Sequence, residues 1–184
     1  MESNWTSSFP EYFYVNDSLL QKIPNINNFD QFVFLANKYR NIFQNNYVYK
    51  EHLPYEKSYS SFFNLNKDNS RVMYAISYNE EWIGHFGLRN VGDKNILLDH
   101  ALRFSPKGGK SLFKEINHSL IEQIRKYLPD YDILIIVKKS NKLALNLQAN
   151  MNFKDCSEIY YKKLLIDYVN YSVMILEKNI EFSN

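Results

Sequence analysis

The spacing of apolar positions changes along the chain, and each change marks an element. Phe29, Phe32, Leu35, Ala36 and Tyr39 recur at helical spacing, which predicts a helix over Asn28 to Asn45. Tyr55 to Leu65 reads as a second helix opened after Pro54, and the polar run from Asn64 to Asn69 as a turn. A short strand at Tyr12 to Val15 precedes both. From Arg71 the run RVMYAISY reads as a strand, Glu80-Glu81 turns the chain, and Trp82 to Asn90 reads as a second strand. Gly92-Asp93-Lys94 turns it again into a third strand, Asn95 to Phe104. Two tight connections in succession predict an antiparallel meander. Leu112, Phe113, Ile116, Leu120, Ile121 and Ile124 then trace one face of an amphipathic helix over Leu112 to Tyr127. Asp132 to Lys138 is short, apolar and β-branched, the pattern of a buried strand. Ser140 to Asn150 reads as a helix with Ser140 as N-cap. Phe153, Tyr160 to Ile166 and Tyr171 to Glu177 are read as the last strand segments. The order predicts one α/β domain over residues 1–184 with a mixed sheet, and no repeat, linker or low-complexity segment interrupts it.

Composition narrows the function. Of 184 residues, 45% are hydrophobic, with 15 Tyr and 13 Phe, so a packed core is expected rather than disorder. Twenty-two basic against 20 acidic residues leave a net charge of +2, which gives no electrostatic case for nucleic acid or an anionic membrane. The strongest apolar run, Ile133 to Val137, is too short to span a bilayer, and the N-terminal stretch MESNWTSSFPEYFYV lacks the pattern of a signal peptide. The single cysteine, Cys156, can form no intrachain disulfide and belongs to no zinc-ligand cluster. A soluble, cytoplasmic protein without a bound metal is expected.

The stretch SPKGGKSLF, Ser105 to Phe113, holds two of the five glycines between two lysines. A Walker A loop would need another glycine five residues before Gly109-Lys110, where Phe104 stands, and a dinucleotide fingerprint would need a third glycine. The order strand, Pro106, glycine-rich basic turn, helix instead suits a pyrophosphate held on turn amides and a helix N-terminus. The plainer alternative is an ordinary strand-to-helix turn capped by Ser111.

Asn141, Ala144, Leu147 and Phe153 follow the buried strand DILIIVK as N-x-x-A-x-x-L-x-x-x-x-x-F. In that string, and in the order of elements over about residues 71 to 178, the chain resembles the GNAT superfamily of N-acetyltransferases. The stretch LDHALRFSPKGG is most similar to members that acetylate nucleotide-linked amino-sugars, and it also resembles ribosomal-protein N-acetyltransferases. The resemblance implies a mostly antiparallel sheet flanked by helices and splayed between its fourth and fifth strands. Residues 1–69 would form the acceptor side and 70–184 the sheet and coenzyme core. Acetyl-CoA is the implied donor. Its pyrophosphate would lie on amides of Lys107, Gly108, Gly109, Lys110, Ser111 and Leu112. Its pantetheine arm would pair with the strand end from Leu102 to Phe104, and Asn141 would bind the arm near the thiol. Three positions depart from the family pattern: Ser105 stands where the loop usually opens with Arg or Gln, Lys110 where it usually closes with Gly or Ala, and Gln148 where many members carry the Tyr that protonates the leaving thiolate.

Acetyl transfer to an amine needs a base for its proton and a donor at the thioester oxygen. Asp99 is the candidate base, because a carboxylate amid an apolar strand is costly without a task or a partner, and an acidic residue stands at the matching place in the amino-sugar enzymes. Pairing with a neighbouring Arg or Tyr is the alternative. His85 and His100 read as structural before catalytic, and Cys156 as a small packing residue rather than a nucleophile. Tyr47, Tyr49, Tyr55 and Tyr59 are candidates to stack on a sugar or base of the acceptor. The expected partner is a small-molecule amine, with a protein N-terminal amine or a non-catalytic binding domain as alternatives, in a monomer or homodimer.

Overall fold

Asn16 turns the chain with φ 51° between β1 (Tyr12–Val15) and β2 (Ser18–Lys22), a hairpin whose second strand sequence reading missed. The computed structural model describes residues 5–43, 51–109, 111–156, 158–164 and 169–178. Helices α1 (Phe29–Ile42) and α2 (Tyr55–Phe63) follow, then the meander β3 (Arg71–Tyr78), β4 (Glu81–Asn90) and β5 (Asn95–Arg103). The chain continues through α3 (Leu112–Tyr127), β6 (Asp132–Lys138), α4 (Lys142–Asn150), β7 (Lys154–Asp155), α5 (Glu158–Leu164) and β8 (Tyr171–Leu176). The eight strands form one sheet in the order β1-β2-β3-β4-β5-β6-β8-β7. Every described pair is antiparallel except β5 with β6. The mixed, mostly antiparallel α/β architecture is the expected one.

Side-chain alternation splits the core in two. Ile76, Ile83, Phe86, Leu88, Ile96 and Leu98 face one way, against Leu112, Ile116, Leu120 and Ile124 of α3. Met73, Ala75, Leu102 and Phe104 belong to the second cluster, with Phe32, Val33 and Ala36 of α1. Phe32 is wholly buried among the rings of Phe62, Trp82, His85 and Phe104.

Three expectations are corrected. The segment Tyr160 to Ile166, expected as a strand, lies in α5 as far as Leu164, and 165–168 fall outside the described residues. β8 already has a neighbour on each edge, β6 and β7, so a further strand there has no place to pair. The fourth helix is capped by Asn141, whose Oδ1 accepts from the Ala144 amide at 3.1 Å, not by Ser140. α1 ends at Ile42 rather than Asn45, and 44–50 lie outside the described residues.

Gly84 sits where β4 meets β5. A Cβ there would come 2.5 Å from the Leu102 carbonyl oxygen and 2.7 Å from Cζ of Phe113. The first neighbour is backbone and cannot step aside. Gly84→Ala is therefore expected to destabilise the protein by about 1–3 kcal/mol, read as a lower urea midpoint; an unchanged midpoint would contradict this packing.

Candidate active site

The parallel ladder between β5 and β6 is short. Asn95 to Leu98 pair with Asp132 to Ile135, and there it stops. Both strands continue, β5 along β4 and β6 along β8 as far as Lys138. At this point β5 carries a bulge: His100 and Ala101 together face Phe86, between the pairs Gly87–Asp99 and His85–Leu102. A bulge bends its strand and leaves one residue out of the ladder. Each strand thus follows its outer partner, and the sheet has an opening in its middle. That is the splay expected between the fourth and fifth strands, counted without the β2 that sequence reading missed.

The free edge of β5 is set by hydrogen-bond phase. The Phe104 amide donates to the Ile83 carbonyl at 2.7 Å, toward β4. By the alternation of an antiparallel ladder, Leu102 also directs its backbone to β4, and Arg103 between them directs its own to the opening. The expectation that Leu102 and Phe104 offer their backbone there is corrected to Arg103; their buried side chains pack under α1.

Arg103 also shapes the loop that follows. Its Nε donates to the Ser105 carbonyl at 2.6 Å. Its Nη2 donates to the carbonyls of Pro106 at 2.6 Å, Lys107 at 3.1 Å and Gly109 at 2.8 Å. The guanidinium lies over the Phe113 ring, 5.5 Å from its centroid. With these carbonyls gathered on one cation, the amides of Gly108, Gly109, Leu112 and Phe113 have no acceptor among the described residues. Gly108 has φ +81°, and a Cβ on it would sit 2.4 Å from Cδ2 of Leu112; Gly109 has φ +86° with open space before it. Both conformations favour glycine. Lys107 is engaged otherwise: its amide donates to Ser105 Oγ at 3.2 Å and its ammonium pairs with Glu81. Ser111 is the N-cap residue of α3 without a side-chain cap, unlike the plainer alternative of a Ser111-capped turn, while its carbonyl accepts from Lys114 and Glu115. Lys110 lies outside the described residues.

On the α1–α2 side of the sheet, Asp99 is the first residue beyond the last β5–β6 pair. Its Oδ2 lies 3.3 Å from Nε of Arg89, so the alternative of an arginine partner is realised. Gly87, opposite Asp99, lets Arg89 reach across diagonally. His85 lies further along the same face, 4% exposed, with the Phe62 and Phe104 rings each 5.7 Å away, a packing role. His100 lies in the bulge. Gln148 is 3% exposed and its Oε1 has no donor among the described residues. Asn141 spends its Oδ1 on the cap and keeps Nδ2 for another acceptor.

Tyr59 packs edge-on against Phe29 at 5.3 Å and lines a groove of about 670 Å³ with Asn25, Asp30 and Phe63. This groove shares no residue with the loop or the opening. Tyr55 packs on Tyr59 at 6.1 Å; Tyr47 and Tyr49 lie outside the described residues. Among the described residues no helix is long and apolar enough to cross a membrane, and no three His, Cys, Asp or Glu are grouped to hold a metal.

No protein-family profile matches the chain, and no curated protein matches it by sequence. Solved structures do. Campylobacter jejuni N-acetyltransferase PseH in complex with acetyl coenzyme A is 18% identical with TM-score 0.63, over 87% of this chain and 98% of that one. FdhC, a nucleotide-linked sugar GNAT, is 14% identical with TM-score 0.69, over 91% and 90%. The microcin C7 self-immunity acetyltransferase MccE, in complex with acetyl-CoA and AMP, is 16% identical with TM-score 0.66, over 92% and 96%. The splayed sheet, the bulged strand and the glycine loop at its end are set in the fold of the GNAT N-acetyltransferases.

Proposed function

We propose that the chain is an acetyl-CoA-dependent N-acetyltransferase whose acceptor is a small amine, with a nucleotide-linked amino-sugar as first choice. The observation that carries this reading is the opening between β5 and β6, with a loop of outward amides at its end. Similar structures bind acetyl-CoA, one of them together with AMP, and another is a nucleotide-linked sugar GNAT. The loop fits a pyrophosphate: the amides of Gly108, Gly109, Leu112 and Phe113 lack an acceptor among the described residues, and the positive φ of Gly108 strains any residue with a Cβ.

In this reading Gly108, Gly109, Leu112 and Phe113 hold the pyrophosphate on their amides. Arg103 pairs its backbone with the pantetheine arm, and Asn141 adds its Nδ2. Acetyl-CoA supplies the acetyl thioester, whose C–S bond breaks as the C–N bond to the amine forms. The amide freed by the bulge at His100–Ala101 stabilises charge on the thioester oxygen. Asp99 accepts the proton from the amine, held by Arg89 on the acceptor side. Gln148 can donate a hydrogen bond but no proton, so water protonates the departing thiolate. Gln148 also favours a second reading, a non-catalytic binding domain on the same scaffold that holds coenzyme weakly or not at all, and the calorimetry below separates the two.

Calorimetry with acetyl-CoA should give micromolar binding. Gly108→Ala and Arg103→Ala should each weaken it roughly tenfold or more, about the worth of one charge-assisted hydrogen bond. Absence of binding at millimolar coenzyme would overturn the proposal. Once an amine is found that turns over, Asp99→Asn should lower kcat by roughly 100-fold while leaving coenzyme affinity intact; an unchanged kcat would remove Asp99 from the chemistry.

Transfer is direct, without an acyl-cysteine. Cys156 Sγ donates to the Val173 carbonyl at 2.8 Å. Burial, then the charge of Asp155, pushes its thiol up to about 11. The reactive thiolate is therefore scarce at neutral pH and grows only as pH approaches that value. Iodoacetamide should label the native protein at pH 8 roughly 100-fold more slowly than the unfolded chain; equal rates would contradict this environment.

A further inference from the structure

Arg71 and Arg89 are direct cross-strand partners on β3 and β4. Counting by twos, they share the face of Met73, Gly87 and Asp99. Like charges so placed have Cβ atoms about 5 Å apart and destabilise a sheet. Two aspartates offset them: Asp68 lies 3.6 Å from Arg71 Nε, and Asp99 lies 3.3 Å from Arg89 Nε. Burial opposes the charge of Asp68, but the Ser70 hydroxyl and amide, Arg71 and Arg89 outweigh it and hold its carboxyl below the usual range. Neither contact is a hydrogen bond, since both Nε atoms are buried and make none. The Nη donors of both arginines also meet no acceptor among the described residues. The side chains are 30% and 33% exposed, half-covered yet open to a ligand. A sequence that sets two arginines opposite each other across the strands, with forks that make no hydrogen bond among the described residues, accepts a repulsion that the aspartates only offset.

We infer that Arg71 and Arg89 form a phosphate subsite for the acceptor, distinct from the glycine loop that faces the coenzyme. The planar forks suit bidentate contact with phosphate oxygens. The pair lies two residues, about 7 Å, along β4 from the row of Gly87 and Asp99. A diphosphate gripped there would reach toward Asp99 with whatever amine it carries. Asp68 and Asp99 keep the two arginines oriented in the absence of the anion. The inference rests on the transferase reading for its link to catalysis, but the subsite is testable by binding alone.

The test is calorimetry with ADP and with inorganic pyrophosphate, run with acetyl-CoA saturating so that the glycine loop is filled. ADP should still bind, and Arg71→Gln and Arg89→Gln should each weaken it roughly tenfold or more while leaving coenzyme affinity unchanged. Arg89→Lys keeps the charge but not the fork, and should lose several-fold with an unaltered melting temperature. Competition between ADP and coenzyme, or equal ADP affinity in the arginine variants, would overturn the subsite and leave the four charges as a structural cluster. A failure of the transferase reading looks different. Coenzyme would then not bind, ADP binding would be insensitive to Gly108→Ala, and the dependence on Arg71 and Arg89 would still support the subsite.

Discussion

The early end of the β5–β6 ladder is the constraint from which the rest of the site follows. Four residues on each strand pair in parallel, and then both strands turn to their outer neighbours. Backbone groups left without partners in the middle of a sheet are costly unless water or a ligand satisfies them. The bulge at His100–Ala101 lies just past the last pair and helps bend β5 away. It also places Asp99 at the mouth of the opening. The candidate site residues are thus arranged by backbone pairing first and by side-chain identity second.

Arg103 links that opening to the loop. Its backbone lies on the free edge, while its side chain gathers four carbonyls of the loop. A peptide plane that turns its carbonyl inward turns the following amide outward, so the hold on the Lys107 carbonyl directs the Gly108 amide away from the guanidinium. That cation stands two residues before Ser105 and acts on the loop's carbonyls. Gly108 completes the arrangement, because its φ of +81° strains any residue with a Cβ, which would also push on the Leu112 side chain.

Much of the fold was legible because its signals are local. β3, α3 and β6 have the bounds their apolar spacing predicts, and β4 and β5 differ by one residue at one end. Tyr160 and Leu164 are apolar enough for a strand, yet β8 is already paired on both sides, and they lie on α5, with the Tyr160 hydroxyl 3.4 Å from Asn95 Oδ1. The Asn16-Asp17 turn was the overlooked signal for β2. In the site, the glycines and Asp99 stand out by residue type. The role of Arg103 and the pairing of Arg89 with Asp99 do not, since both depend on strand register and hydrogen-bond phase. The juxtaposition of Arg71 and Arg89, eighteen positions apart in the chain, appears only once the β3–β4 register is known.

The most direct test of the account is amide NMR on the labelled protein as acetyl-CoA is added. The account predicts that the amides of Arg103, Gly108, Gly109, Leu112 and Phe113 shift strongly with a common saturation curve. The Lys107 and Phe104 amides, already engaged by Ser105 and Ile83, should move little. Shifts confined to the groove beside Tyr59 and Asp30, or a loop that stays unmoved at saturating coenzyme, would contradict it.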